Sequence, residues 1–415
     1  MKMPAIELTP LRPATRSDAP TTLDVLLKIM PPLPEVQVQR PPLNLGLVLD
    51  RSGSMSSARK LDYAREAAIF AVQQLLPTDR VSIVIFDDKV QTLVTNTLAE
   101  DKNRLVSAIQ GILPGGSTAL HGGWREGAKQ VGGHPIPGGM NRVLLLSDGL
   151  ANVGESNPDA IATDVHRMSK EGVSTTTLGL GDDYNEDLLE AMANSGDGNY
   201  YYVENSNQLP AIFQSELQGL MATIGNAVTL QVETASGVTV ADVLNDLDKT
   251  PDGKLKLPNL VAGMPLLLVI RLNVPPMSQS QTADICRFRL EWNAPKSAER
   301  AVLAAPLSVP AVSSAIWDSL AENVEVQEQA ALMLIARYKK QATQSLERGD
   351  IEAAKRLLAD AKKILVAAPQ TPEIKREFDA FSQIEAHIES GEHMKFQKHA
   401  KHQVYQRRSS KPYFS

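Results

Sequence analysis

Residues able to do chemistry gather at one stretch of this chain, positions 43–55, LNLGLVLDRSGSM. Asp50, Ser52 and Ser54 place one carboxylate and two hydroxyls at alternate positions. A hard, oxygen-only donor set of this kind suits Mg2+ or Mn2+ far better than a soft metal. Gly53 allows a tight backbone turn, so the two serine hydroxyls can converge on one point. The preceding residues, 43–49, lack polar alternation. They read as a central strand of a parallel sheet, buried on both faces. The chain leaves the sheet after Asp50, where loops of open α/β folds form the usual ligand crevice.

Other chemistries are poorly served. The serines of DRSGSM are not in a GxSxG turn, and no His or Asp completes a triad with them. There is no Walker A sequence, so the chain is not expected to hydrolyse nucleotides. Arg51 lies inside the motif and reads either as a guide for an incoming carboxylate or as a solvated rim residue, the latter favoured slightly. His121 reads as a surface residue near the rim. Asp182, Asp183, Asn185 and Asp187 imitate a calcium loop but lack its central glycine and its terminal glutamate, and so read as a helix amino-terminal cap. Tyr200, Tyr201 and Tyr202 read as strand residues, and Cys286 as a core residue.

The DxSxS pattern resembles the metal-ion-dependent adhesion site (MIDAS) of von Willebrand factor type A (VWA) domains of the bacterial type. That family also uses a threonine from a second loop and an aspartate after a later strand. GGSTAL supplies Thr118 just before a helix, and RVLLLSDG supplies Asp148 at the end of an apolar strand. The resemblance therefore implies a metal site of Asp50, Ser52, Ser54, Thr118 and Asp148. It implies ligation through the three hydroxyls, with the two aspartates acting directly or through water. Mg2+ is the expected ion, with Mn2+ or Ca2+ as alternatives. A partner's Glu or Asp would complete the coordination.

The remaining elements follow from periodicity and punctuation. Helical spacing begins at Ser56 and runs to Pro77; helices are also expected over 100–111, 157–170 and 207–222. Strands are expected over 81–86, 90–94, 142–147 and 199–203. This alternation predicts a doubly wound, mostly parallel α/β sheet of Rossmann-like type over 43–222. From 223 to 312 the chain reads as strands with turns, a small β-sandwich. The lone strand at 23–30 is suspected to complete it, with residues 1–40 otherwise extended. The α/β domain would then be inserted in the sandwich, or be followed by it. Residues 313–391 form a helical bundle by pattern, and 392–415 read as a basic, flexible tail that is solvated or docks on an acidic surface.

A chain of 415 residues suffices for two or three domains, and its net charge of -6 gives no case for nucleic-acid binding. A single cysteine excludes an internal disulfide framework. No signal-peptide pattern or membrane-length apolar run is present, so a cytoplasmic location is expected. Together these features predict a non-catalytic module for metal-dependent protein–protein interaction. The alternative is an accessory subunit of an AAA+ ATPase of MoxR or chelatase type, or of a kinase or phosphatase assembly.

Overall fold

The computed structural model describes residues 3–33, 41–181, 183–294 and 300–408. The described residues divide into two compact units, those before residue 34 and after residue 223 forming one, and those between forming the other.

The chain starts with strands β1 (Ala5–Pro10), β2 (Thr15–Arg16) and β3 (Thr21–Met30). It then enters the α/β unit through β4 (Leu43–Asp50), α1 (Lys60–Gln74), β5 (Arg80–Phe86), β6 (Val90–Leu98), α2 (Lys102–Gln110) and α3 (Leu120–Gly132). The unit continues with β7 (Met140–Ser147), α4 (Pro158–Lys170), β8 (Val173–Leu180), α5 (Glu186–Ser195), β9 (Tyr200–Val203) and α6 (Leu209–Met221). Its sheet has the order β6-β5-β4-β7-β8-β9. Only the edge strand β6 is antiparallel.

Every residue of β4 is buried. Leu43, Leu45, Leu47 and Leu49 face a cluster shared with α1, α2 and α6. On the opposite face, Gly46 and Val48 meet α3 at unusually short range. A Cβ on Gly127 would lie 2.2 Å from Val48 Cγ2, and one on Gly123 would lie 2.4 Å from Phe86. Glycine at these two helix positions lets α3 approach the sheet closely. The buried Asn44 is satisfied, since its Nδ2 donates to the carbonyls of Val131 and His134 and its Oδ1 accepts from Asn96. Because β4 has β5 on one side and β7 on the other, its carboxyl end lies where the winding reverses. Loops diverge there and leave a crevice.

In the other unit, β10 (Thr223–Thr234), β11 (Thr239–Val243), β12 (Leu255–Lys256), β13 (Leu260–Val261), β14 (Leu266–Val274), β15 (Ser280–Asn293) and β16 (Arg300–Val312) join the first three strands. One sheet runs β1-β3-β14-β11 and the other β12-β10-β15-β16-β2. β3 is therefore not part of the sheet that starts at Leu43; it pairs with β1 and with β14. Buried residues of both sheets, among them Val25, Leu230, Ile270 and Phe288, form one cluster.

Helices α7 (Ser314–Ser319), α8 (Val324–Glu347), α9 (Ile351–Ala367), α10 (Pro372–Glu389) and α11 (His393–Arg408) follow. α8 lays Val326, Ala330 and Met333 against Leu26 and Val269. The bidentate pairing of Arg337 with Asp242, at 2.6 and 3.0 Å, ties α8 to the end of β11.

The flexible tail read over 392–415 is corrected here, since residues 393–408 are the helix α11. Phe396 and Ala400 sit in the helical core, and Lys398 is buried. The basic character that suggests a solvated tail instead matches acids on the neighbouring helices. Lys401 pairs with Glu347, and Arg407 with Glu373 and Glu377. Residues 409–415 lie outside the described part. Among the described residues, no helix is long and apolar enough to cross a membrane.

Candidate functional site

The crevice at the end of β4 is built from three loops. Asp50, the last residue of its strand, is fully buried. Its Oδ1 accepts from the Ser52 backbone N–H at 2.7 Å, and its Oδ2 accepts from Ser147 Oγ at 2.5 Å. Burial pushes the Asp50 carboxyl up to about 6, against the opposing hydrogen bonds from Ser147 and Ser52, and the negative charge of Asp148 adds to the rise. A nearby cation would reverse that cost. Ser52 Oγ lies 3.1 Å from Ser54 Oγ, and Ser54 Oγ donates to Asp148 Oδ1 at 2.6 Å.

Thr118 enters from the loop before α3. Its backbone N–H donates to Asn152 Oδ1 at 2.9 Å, and its carbonyl accepts from the N–H groups of Asn152 and Val153. A Cβ placed on Gly149 would lie 3.0 Å from Thr118 Oγ1 and 3.8 Å from Ser54 Oγ. Glycine there thus leaves a small cradle shared by the two hydroxyls. Thr118 is only 4% exposed.

The structure therefore brings the five sequence-derived residues to one crevice: Asp50, Ser52, Ser54 and Asp148 as a hydrogen-bonded chain, and Thr118 beside them across Gly149. Among the described residues there is no group of three or more His, Cys, Asp and Glu arranged to hold a metal. This crevice has two carboxylates, its other oxygens being hydroxyls. The donor set fits a hard, oxygen-loving divalent cation and does not fit a soft one.

Arg51 neither reaches into the crevice nor lies free on its rim. Its Nη2 pairs with Asp87 Oδ2 at 2.7 Å. The same oxygen accepts from the Gly116 N–H at 3.3 Å, and backbone bonds between Gly53 and Gly116 and between Gly115 and Arg51 fasten the two loops together. Burial opposes ionisation of Asp87, but the N–H groups of Lys89 and Gly116 and the charge of Arg51 outweigh it and hold its carboxyl below the usual range. His121 is buried, not a surface residue. It stacks on Trp124 and its Nε2 lies 3.1 Å from Asp164 Oδ2. With Arg125, Glu155 and Thr163 it lines an open cleft of about 660 Å³ on the Thr118 side. Leu113 and Leu150, 65% and 56% exposed, belong to the loops that carry the site. Asn185 caps α5 by accepting from the Leu188 N–H. Asp182 lies outside the described residues. Cys286 is buried, and burial pushes its thiol up to about 12, so it is an inert core residue.

Three contributors have no motif of their own in the sequence. Ser147 stands beside Asp148 but reads as the end of a strand. Asn152 looks like an ordinary loop residue. Lys60, the first residue of α1, reaches Asp148 Oδ2 with its Nζ at 2.7 Å. The helix expected from Ser56 is delayed to Lys60 by a short 3-10 segment ending in two non-glycine residues in the left-handed region, Ala58 (φ 49°) and Arg59 (φ 57°). Each such residue costs roughly 1–2 kcal/mol, and periodicity cannot register that break.

Comparison with known proteins bears on the fold that carries this crevice. Residues 44–215 match the family model of the von Willebrand factor type A domain. The chain is 30% identical over 194 residues to the uncharacterized protein YfbK of Escherichia coli, a match covering 46% of this chain and 34% of that protein. It is 26% identical over 344 residues to the uncharacterized protein sll0103 of Synechocystis sp., covering 78% of this chain and 79% of that one. The match to human inter-alpha-trypsin inhibitor heavy chain H3 is 28% over 202 residues and spans 22% of that protein. Among solved structures, a von Willebrand factor type A protein from Catenulispora acidiphila superposes with a TM-score of 0.69 at 16% identity, covering 91% of this chain and 88% of that one. The ArnB paralog VWA2 from Sulfolobus acidocaldarius superposes with a TM-score of 0.63 at 17% identity, covering 96% and 98%. These two establish likeness of fold.

Proposed function

We propose that this chain, which carries a von Willebrand factor type A domain over residues 44–215, is a non-catalytic interaction protein whose crevice grips an acidic side chain of a partner through a divalent cation, Mg2+ foremost. VWA domains are protein-interaction modules in general; the metal dependence and the acidic partner are the specific content of this proposal. The observation that carries it is the convergence of Thr118 Oγ1 and Ser54 Oγ on the cradle over Gly149, beside the buried Asp50 and Asp148 carboxylates.

A divalent cation held by Asp50, Ser52, Ser54, Thr118 and Asp148 would supply an electrophilic centre for a foreign carboxylate. The chain's own residues prepare for it. Ser52, Ser54 and Thr118 offer neutral oxygens, which leave positive charge unspent. Ser147 and the Ser52 N–H fix both oxygens of Asp50, so that carboxylate is oriented before anything binds. Asp87, in the turn after β5, holds Arg51 of the serine loop and the Gly116 N–H of the threonine loop together. Leu113 and Leu150 offer apolar contact beside the acid. In this reading the remaining strands form a β-sandwich that receives the α/β unit as an insertion, and the protein works in the cytoplasm.

The test is calorimetric titration with Mg2+, followed by affinity capture from native lysate in Mg2+ and in EDTA, for wild type, Thr118→Ala and Asp50→Ala. Both variants are expected to stay folded, to bind Mg2+ at least tenfold more weakly and to lose partners that wild type holds only in Mg2+. Identical partners in every lane, with unchanged Mg2+ titrations, would overturn the proposal.

A further inference from the structure

The geometry points to Lys60 as a built-in counter-charge. It keeps the free crevice's hold on a divalent cation weak and makes the loaded crevice positive, so that cation and acidic partner are bound together. This rests on the metal-site reading above.

Asp148 is held from both sides. Ser54 Oγ donates to Oδ1, and the Lys60 ammonium sits on Oδ2 at 2.7 Å. The carboxylate is wholly buried and the lysine side chain is 12% exposed, so solvent screens this pair little. Nothing in the local helix favours a lysine there. As the first residue of α1, Lys60 places a positive charge at the end of the helix where the backbone dipole disfavours it. Its neighbour Arg59 makes no side-chain cap, and the two residues before Lys60 hold left-handed backbone without being glycine. The ion pair with Asp148 is the compensating contact.

The charge balance then decides what the crevice prefers. Asp50 and Asp148 contribute two negative charges and Lys60 returns one positive charge, while Arg51 is already matched by Asp87. A divalent cation entering this set leaves one net positive charge, which an incoming carboxylate cancels. Without Lys60 the cation alone would neutralise the two aspartates. The free crevice would then bind metal more tightly, and the loaded crevice would attract a carboxylate less.

The test uses the full chain, with Mn2+ as metal probe and acetate as carboxylate probe, comparing wild type with Lys60→Met, Lys60→Gln and Lys60→Arg. Mn2+ affinity is read by calorimetry, and acetate binding to the Mn2+-loaded protein by water-proton relaxation. Lys60→Met and Lys60→Gln are expected to bind Mn2+ about tenfold or more tightly than wild type, and acetate more weakly by a similar factor. In EDTA both should melt at lower temperature than wild type, because Asp148 loses its partner, and saturating Mn2+ should restore them. Lys60→Arg should track wild type. If wild type binds Mn2+ and the neutral variants bind it equally or more weakly, the counter-charge role is overturned while the metal site stands. If wild type and variants all fail to bind Mn2+, the metal reading itself fails and this inference with it. Should Lys60→Met not fold, Lys60→Gln decides the matter. Failure of both neutral variants to fold even in Mn2+ would make Lys60 a structural residue and refute the inference.

Discussion

Replacing Glu377 with Gln should damage the helical part of this protein far more than replacing the lysine it pairs with. Lys339 on α8 is 1% exposed and Glu377 on α10 is 3% exposed, and they meet at 2.6 Å. The ammonium also donates to Gln403 Oε1 on α11 at 2.6 Å and lies 5.6 Å from the Phe381 ring. Burial pushes the Lys339 amine below its ordinary range despite the attraction of Glu377, a sign of how much the charge costs there. Glu377→Gln removes the compensating carboxylate and leaves that charge with neutral amide oxygens and a ring. Breaking a buried pair in this way costs about 3–5 kcal/mol, a large part of the ~5–15 kcal/mol typical of a domain. In Lys339→Met the unbranched stem is kept, and Glu377 still faces Arg407 at 3.1 Å. That loss should be only about 1–3 kcal/mol. Hydrogen exchange with peptide resolution separates α8, α10 and α11 from the rest of the chain. Glu377→Gln should speed exchange there roughly hundred- to several-thousandfold, and Lys339→Met much less. If the lysine variant costs as much as the glutamate variant, an uncompensated buried charge is not what governs this site.

Three further outcomes follow from the geometry. Gly127→Ala should lower stability by about 1–3 kcal/mol, because its Cβ would collide with Val48 Cγ2 at 2.2 Å; a thermal melt followed by Trp124 fluorescence reads it. Ala58→Gly should raise the melting temperature slightly, since relief of left-handed strain, about 1–2 kcal/mol, outweighs the added freedom of the unfolded chain, about 0.5–1 kcal/mol; a lower melting temperature would contradict this. Hydrogen bonds from Arg337 hold the Asp242 carboxyl below its usual 3.8, so its stabilising effect is full above that pH and is lost as pH falls through the lower folded value; exchange in α8 should therefore rise below about pH 3.8 in wild type, and Arg337→Gln should flatten that dependence.

Much of the α/β unit is legible because its signals are local. A fully buried strand such as 43–49 has no polar alternation, and Pro77, Asn157 and Asn185 punctuate the helices. The crevice is legible in part for the same reason, since Asp50, Ser52 and Ser54 lie within five residues of one another. What periodicity misses is decided across space. Lys60 looks like any lysine in the early turns of a helix until Asp148 is brought beside it. Arg51 looks like a free cation until the turn after β5 supplies Asp87. The misreading of α11 has the same origin: a basic run looks like a solvated tail when the acids that match it, Glu347, Glu373 and Glu377, come from other helices. His121 reads as exposed because its partner Asp164 lies on a different helix.

The pairing of β3 with β14 has a consequence for how a ribosome delivers this protein. β3 leaves the exit tunnel with β1 on one edge, but the strand for its other edge begins with Leu266, opposite Ile29 and roughly 240 residues later. At bacterial-like synthesis rates of roughly 5–20 residues per second, that interval lasts roughly ten to fifty seconds. During it the apolar strand TTLDVLLKIM has an open hydrogen-bonding edge while the α/β unit is completed behind it. A nascent chain stalled before residue 266 should therefore be a substrate for chaperones, and one in which α8 has also emerged to cover Leu26 and Val269 should not.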